Sequence, residues 1–341
     1  MTDPLSRLAP VIRLAPAKLN LTLAVLGLRP DGYHDLHSVV VPLALADRLS
    51  VAVSGGAEDT LHVVGPDPGP AADNLVLRAI AEARRALPPP LWGPNRTPAL
   101  SVRLEKRTPV AAGLGGGSSD GAAALAAAVE AWDADIEPER LASAALRLGS
   151  DVPFFLAGGP AAVEGRGERV TPLPALRGDP PGVLVVTPAM SVSTAAVFAA
   201  YLTGARPPNP GATQATSLHL AAEWRDGLDA GRLFERAAVL APANDLLVAT
   251  GQVAWEAVVA RRALARLLSR PVGQSGSGPT CWVLYPSLAD ATAAATRVDE
   301  ALESGALRLP GHGRPFVAAT TIVSGGEQGD QAQEPGGRHQ Q

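Results

Sequence analysis

The sequence predicts a protein of mixed helices and strands built in two parts, and three observations carry that prediction. Branched apolar residues alternate along Val11 to Val53, a glycine-rich run at Pro109 to Ser119 leads without a break into an apolar helical stretch, and the pattern changes near residues 157 to 165.

The N-terminal stretches IRLAPAKLNLTLAVLGL and HSVVVPLALADRLSVAV read as strands, with the turn-forming RPDGYH between them. Asp73 to Leu87 has helical spacing behind an aspartate suited to cap it, and Ala99 to Lys106 reads as a strand entering the glycine run. Ser118 to Trp132 is alanine-rich and nearly free of charge, which predicts a helix buried against a sheet, and Pro138 to Leu148 predicts another. Beyond the boundary, short strands are expected near Ala161 to Val163 and Val183 to Thr187. A helix from Thr194 and arginine-rich helices to about residue 270 follow. Thr203 to Thr213 is a Pro/Gly-rich loop, VGQSGSGPTCWVLY a turn and strand, Leu288 to Glu303 a helix and Phe316 to Val323 a last strand. Residues 1 to 10 and 325 to 341 read as a flexible leader and a disordered tail, since neither has apolar residues enough to bury.

Composition narrows the function classes. At 341 residues the chain can bury a core and still form a deep cleft. The net charge of -4 disfavours a protein that grips a nucleic-acid backbone, so a small-molecule partner is expected. A single cysteine, Cys281, and no Cys/His cluster point to a reducing, cytoplasmic setting. No uncharged apolar run approaches the roughly 20 residues of a membrane span. Of 29 cationic residues only Lys18 and Lys106 are lysine. Where arginine is the default cation, a retained lysine marks a place for a compact ammonium.

In GLGGGSSD, consecutive glycines let backbone N–H groups approach a phosphate, and the following helix adds the positive end of its dipole. Ser118 and Ser119 can cap that helix or offer hydroxyls to phosphate, and Ser119 to Mg²⁺. No Lys-Ser or Lys-Thr follows the glycines, so this is not a Walker A loop, and no early G-x-G-x-x-G announces a dinucleotide fold.

PxxxGLGGGSSD preceded by EK, together with a later SGSGPT, resembles the GHMP kinases, the superfamily of galactokinase, homoserine kinase and mevalonate kinase. The stretches from Ala15 and from Leu148 narrow the likeness to members of the non-mevalonate isoprenoid route, whose substrate carries a cytidine diphosphate. The resemblance spans about residues 11 to 323. It implies a two-domain α+β fold, divided here into residues 11 to 160 and 161 to 324, with ATP, Mg²⁺ and substrate in the interdomain cleft.

The resemblance assigns roles position by position. Lys18 falls near the reacting hydroxyl and the transferred phosphate, and Asp151 in LGSDVPFF is its matching carboxylate, a base or an orienter of the hydroxyl, with bulky neighbours that thin the water. ATP is expected on the run Pro109, Val110, Ala111, Ala112, Gly113, Leu114, Gly115, Gly116, Gly117, Ser118 and Ser119. Lys106 joins it or is a strand-end surface lysine, and Asn74 contacts the adenosine or caps a helix. Tyr33 and His34 suit a cytosine ring by stacking and hydrogen bonding. Phe198 is a second stacking face or a core residue, Thr194 reaches the substrate, and Asn20 shares the strand face of Lys18. Asn244 and Asp245 line the site or cap a helix, the SGSG at Ser275 to Gly278 closes over it or is a plain turn before a strand, and His37, His62, His219 and His312 show no partner. The competing readings are another superfamily kinase or a decarboxylase, and a nucleotide sensor without catalysis, against which Lys18 and Asp151 argue.

Overall fold

A computed structural model describes residues 9–70, 73–88, 97–209 and 211–324, so most of the expected leader and all of the expected tail lie outside the described residues. The first sheet is organised around one long strand. β1 (Val11–Asn20) and β2 (Ala24–Leu28) lie along one edge of β3 (His34–Ser54), all antiparallel. After β4 (Thr60–Val64), helix α1 (Leu75–Ala86) leads to β5 (Ala99–Glu105), which joins the far end of β3 and pairs β4 in parallel.

Three helices follow, α2 (Gly116–Ala131), α3 (Pro138–Leu148) and α4 (Val152–Ala157). β6 (Ala161–Gly165) then returns to the near end of β3, with β7 (Arg169–Pro172) outside it. Ala161 to Pro172, which follow the expected boundary at residue 160, hydrogen-bond into the first sheet, and Gly158 is the left-handed C-cap of α4.

The second sheet runs β11–β8–β10–β9, from β8 (Gly182–Thr187), β9 (Gly273–Gln274), β10 (Cys281–Tyr285) and β11 (Phe316–Thr321). Between β8 and β9 lie α5 (Thr194–Leu202), α6 (Ala212–Arg225), α7 (Ala230–Glu235), α8 (Ala237–Leu240), α9 (Leu247–Val253) and α10 (Trp255–Leu268). Helix α11 (Leu288–Glu303) precedes β11. No helix among the described residues is long and apolar enough to cross a membrane.

Alternation along the strands separates the cores. On β3, Val40 faces a core under α1 to α4, while Val39, Val41 and Leu43 face a second one. That second core also takes Val183, Val185 and Trp282 from the other sheet, so both sheets bury apolar side chains in one shared interior. Leu184, Val283 and Tyr285 point the opposite way, against α10 and α11.

Candidate active site

The cleft opens where the first turns of α2 and α4 meet the start of α5 and the turn at Ser275–Gly278. Its volume is about 780 Å³, and its lining includes Lys18, Asn20, Tyr33, His34, Asp151, Thr194 and Phe198. Seven residues expected at one site from scattered stretches of sequence therefore share one cavity.

Lys18 comes from the end of β1, where its side chain is 8 % exposed. Its Nζ donates to Asn20 Oδ1 at 2.7 Å and lies 3.6 Å from Asp151 Oδ2. Asp151 occupies the N-cap position of α4, yet its carboxylate makes no capping hydrogen bond and is left to face the cleft. At 49 % exposure the carboxylate stays wet, contrary to the expected water-thinned setting, because Phe154 and Phe155 turn into the core beneath it.

The Asn20 amide is oriented by its neighbours. The Ser38 hydroxyl donates to the Thr22 carbonyl at 2.6 Å, so its oxygen must accept the 2.9 Å bond from Asn20 Nδ2. Asn20 Oδ1 is thereby turned to Lys18, which can only donate. Behind this lies a buried chain in which Ser217 Oγ meets Thr22 Oγ1 at 2.6 Å and His37 Nδ1 at 2.7 Å, a partner for His37 that the sequence did not suggest.

The glycine run behaves unevenly. Gly113, Gly115 and Ser118 line the cleft, Ala112 and Leu114 are buried in the shared core, and Val110 is exposed. The helix begins inside the glycines, so the expected serine cap is replaced by Gly115, in the left-handed region at φ 70°. A Cβ there would stand 2.9 Å from both Lys18 Cγ and Phe155 Cζ, so only glycine allows the loop this close to Lys18. With no side-chain cap, the first-turn N–H groups and the positive helix end are presented to the cleft, a set of donors that fits a phosphate. Ser119 is buried and its Oγ has no partner among the described residues.

Lys106 is not placed to grip a nucleotide. Its Nζ is bound to Asp47 Oδ2 at 2.5 Å, Asp120 Oδ2 at 2.8 Å and Thr108 Oγ1 at 3.2 Å, with the side chain 3 % exposed. Two carboxylates that must be neutralised in the interior hold the ammonium on the underside of the loop. Asp47 also accepts from the backbone N–H groups of Arg107 and Thr108, at 2.5 and 2.8 Å. Asn74 takes the capping alternative and is not in the cleft lining: its Oδ1 accepts from Val76 N at 2.9 Å, making it, rather than Asp73, the N-cap of α1.

At the other end, burial holds the His34 ring below the usual histidine range, and its Nε2 has no partner among the described residues. Phe198 packs on His34, ring centroids 4.7 Å apart with the planes tilted by 31°. Tyr33 is half exposed with the Arg166 guanidinium 4.9 Å from its ring centre. Arg166 was absent from the sequence reading because its turn, GRGE, looks like an ordinary charged loop.

The turn at Ser275–Gly278 does meet the glycine run. Ser275 Oγ donates to Gly113 O at 2.9 Å, Thr280 Oγ1 to Ala112 O at 2.5 Å, and Ser277 Oγ pairs Thr194 Oγ1 at 2.8 Å. Asn244 holds this turn through Nδ2 to Gly276 O at 2.8 Å, and Asp245 Oδ2 accepts from Val25 N at 2.9 Å.

Residues 74–159 match the family model described as the GHMP kinases N terminal domain. The 4-diphosphocytidyl-2-C-methyl-D-erythritol kinase of Pelotomaculum thermopropionicum is 40% identical over 290 residues, 84% of this chain and 93% of that one. This chain belongs to that kinase family. A crystal structure of 4-(cytidine 5'-diphospho)-2C-methyl-D-erythritol kinase superposes with a TM-score of 0.65 at 32% identity, covering 91% of this chain and 99% of that one. Homoserine kinase from Cytophaga hutchinsonii, at 15% identity and a TM-score of 0.64 over 94% and 97% of the two chains, shares the fold. The protein is thus a small-molecule phosphotransferase of α+β architecture.

Proposed function

We propose that this kinase transfers the γ-phosphoryl group of ATP to the 2-hydroxyl of 4-diphosphocytidyl-2-C-methyl-D-erythritol, a step of non-mevalonate isoprenoid precursor synthesis. The observation that carries the reading is the Lys18 Nζ to Asp151 Oδ2 approach of 3.6 Å in the same cleft as Tyr33, His34 and Phe198. The substrate hydroxyl attacks the γ-phosphorus and the bond to the β,γ-bridging oxygen breaks. ADP leaves, and the hydroxyl proton passes to the Asp151 carboxylate, early or late in the transfer. Lys18, held by Asn20, balances charge on the transferred group, and the open first turn of α2 receives the phosphates.

Mg²⁺ fits this donor set only together with the nucleotide, since no cluster of three acidic, His or Cys side chains exists among the described residues. The Ser119 hydroxyl, buried behind the cleft lining and without a partner among the described residues, is one oxygen that could reach it. When bound, the metal would neutralise charge on the phosphates. Cytosine lies against Tyr33 and beside His34, whose neutral ring can donate or accept at Nε2. A cytoplasmic setting accords with the single, buried Cys281.

Purified protein with Mg-ATP is expected to phosphorylate the cytidyl substrate and not mevalonate or homoserine. Asp151→Asn should lower turnover by at least about 100-fold with an unchanged unfolding temperature. Mevalonate as the better acceptor, or a fully active Asn variant, would sink the reading.

A further inference from the structure

The substrate's own diphosphate finds no partner among Lys18, Asp151, Tyr33 and His34. The first sheet's β6–β7 turn supplies a candidate. Arg166, half-buried in that turn, lines the cleft, and its guanidinium lies 4.9 Å from the centre of the Tyr33 ring. Its flanking residue Gly167 runs so close to the segment before α4 that a Cβ would meet Ser150 O at 2.5 Å. Arg166 thus stands between the ring expected to hold the base and the backbone that leads directly into Asp151. A diphosphate that links a base at Tyr33 to a hydroxyl at Asp151 has to cross this ground.

The neighbouring cations are already engaged. Arg29 pairs with Asp31 and Glu168, each at 3.2 Å, and Arg169 lies 3.9 Å from Asp35. Arg166 has no carboxylate at ion-pair distance among the described residues, although its backbone N–H donates to Glu168 Oε2 at 2.6 Å. Stacking on a ring face leaves the guanidinium N–H groups free in their plane, where they match two phosphate oxygens at once. The other cation of the cleft lining, Lys18, is held by Asn20 beside Asp151.

We propose that Arg166 is the diphosphate-binding, specificity-determining residue of the acceptor site, recognising a pyrimidine nucleoside diphosphate ester by its phosphates while stacking on the aromatic ring that holds the base. The assignment rests on the functional reading above and names a part of the same site. It separates nucleoside from nucleoside diphosphate, which a stacking pocket alone does not.

Calorimetry of the full chain, with a non-hydrolysable Mg-ATP analogue filling the glycine loop, would compare cytidine with CDP. Wild type should bind CDP more tightly than cytidine. Arg166→Gln should weaken CDP by about tenfold or more while cytidine stays within about twofold, and Arg166→Lys, which keeps the charge without the fork, should fall between. In steady state the Gln variant should raise KM for the cytidyl substrate and leave KM for ATP unchanged. Equal weakening of both ligands would mean that Arg166 only supports Tyr33, and either that result or an unaffected CDP affinity would overturn the assignment while the functional reading stands. A wild-type chain that binds neither ligand and phosphorylates no cytidyl substrate would instead sink that reading, and the assignment with it.

Discussion

At Asn20 the direction of every hydrogen bond follows from which atoms can donate. Thr22 O can only accept, so the Ser38 proton points to it, Ser38 Oγ accepts from Asn20 Nδ2, and Asn20 Oδ1 faces the Lys18 ammonium. Ser38→Ala removes the group that fixes this order and leaves a buried amide N–H without its partner. We expect kcat to fall about tenfold with KM for both substrates nearly unchanged, since the loss of about 1–3 kcal/mol falls on the placement of Lys18. Steady-state kinetics on both substrates checks it, and a shift confined to KM would refute it. Lys18 stood out in the sequence because arginine had replaced almost every other lysine, and Asp151 because it sits in a distinctive run. Ser38 did not, being one hydroxyl in an apolar strand, and Lys106 misled for the same reason that Lys18 was found. A retained lysine marks a need for a compact ammonium without saying whether phosphate or carboxylate imposes it.

The α2 element joins loop and helix, and two of its glycines do opposite things. Gly115 is left-handed and in contact range of Lys18 and Phe155, whereas Gly117 is helical and exposed, and a Cβ there would meet Leu75 Cδ1 at 3.9 Å, an ordinary van der Waals contact. Gly115→Ala should cost about 1–2 kcal/mol from backbone strain, further loss from the clash, and most of the phosphoryl transfer rate, because Lys18 must move. Gly117→Ala should gain about 0.5–1 kcal/mol of helix stability and still raise KM for ATP if phosphate lies over the first turn. Thermal unfolding alongside ATP kinetics separates the two, and an unchanged KM in Gly117→Ala would argue against phosphate at that position. Most elements were legible because their apolar period is strong, as in β3 and α2. β4 was missed because Thr60–Val64 is a short exposed edge pattern, and α4 because six residues with a proline near the start read as a turn.

The whole molecule is tied together at buried polar junctions. Asp47 on β3, Lys106 just after β5 and Asp120 in α2 meet beneath the glycine loop, so two halves of the first sheet and the phosphate-facing helix share one ionic cluster. Burial pushes the Asp120 carboxyl up to about 7, with Lys106 opposing and Asp47 adding to the rise. An unfolded aspartate titrates near ~3.9, so between that value and about 7 the folded state keeps a proton that the unfolded chain has released. The contribution of Asp120 to stability is therefore fully present below about pH 4, declines as pH rises to about 7, and is level above it. Wild type should lose several degrees of unfolding temperature relative to Asp120→Asn as the pH is raised from about 3.5 to about 8, a range bracketing the two values, and a constant difference would contradict the cluster's role.

By itself the sequence determined the glycine loop and its helix, the strand-rich start and, through motifs that resemble the GHMP kinases, the kinase class, because those depend on local backbone chemistry and on short motifs whose residues lie together in the chain. Only the tertiary structure decided that β6 and β7 complete the first sheet, that Lys106 faces Asp47 and Asp120, that Phe198 packs on His34 and that Arg166 covers Tyr33. Asp47 and Lys106 stand 59 positions apart, and Asn20 and Ser275 stand 255 apart. Which partner a buried charge or ring acquires across such distances is set by how the two sheets close over their shared core, and no local pattern encodes that closure.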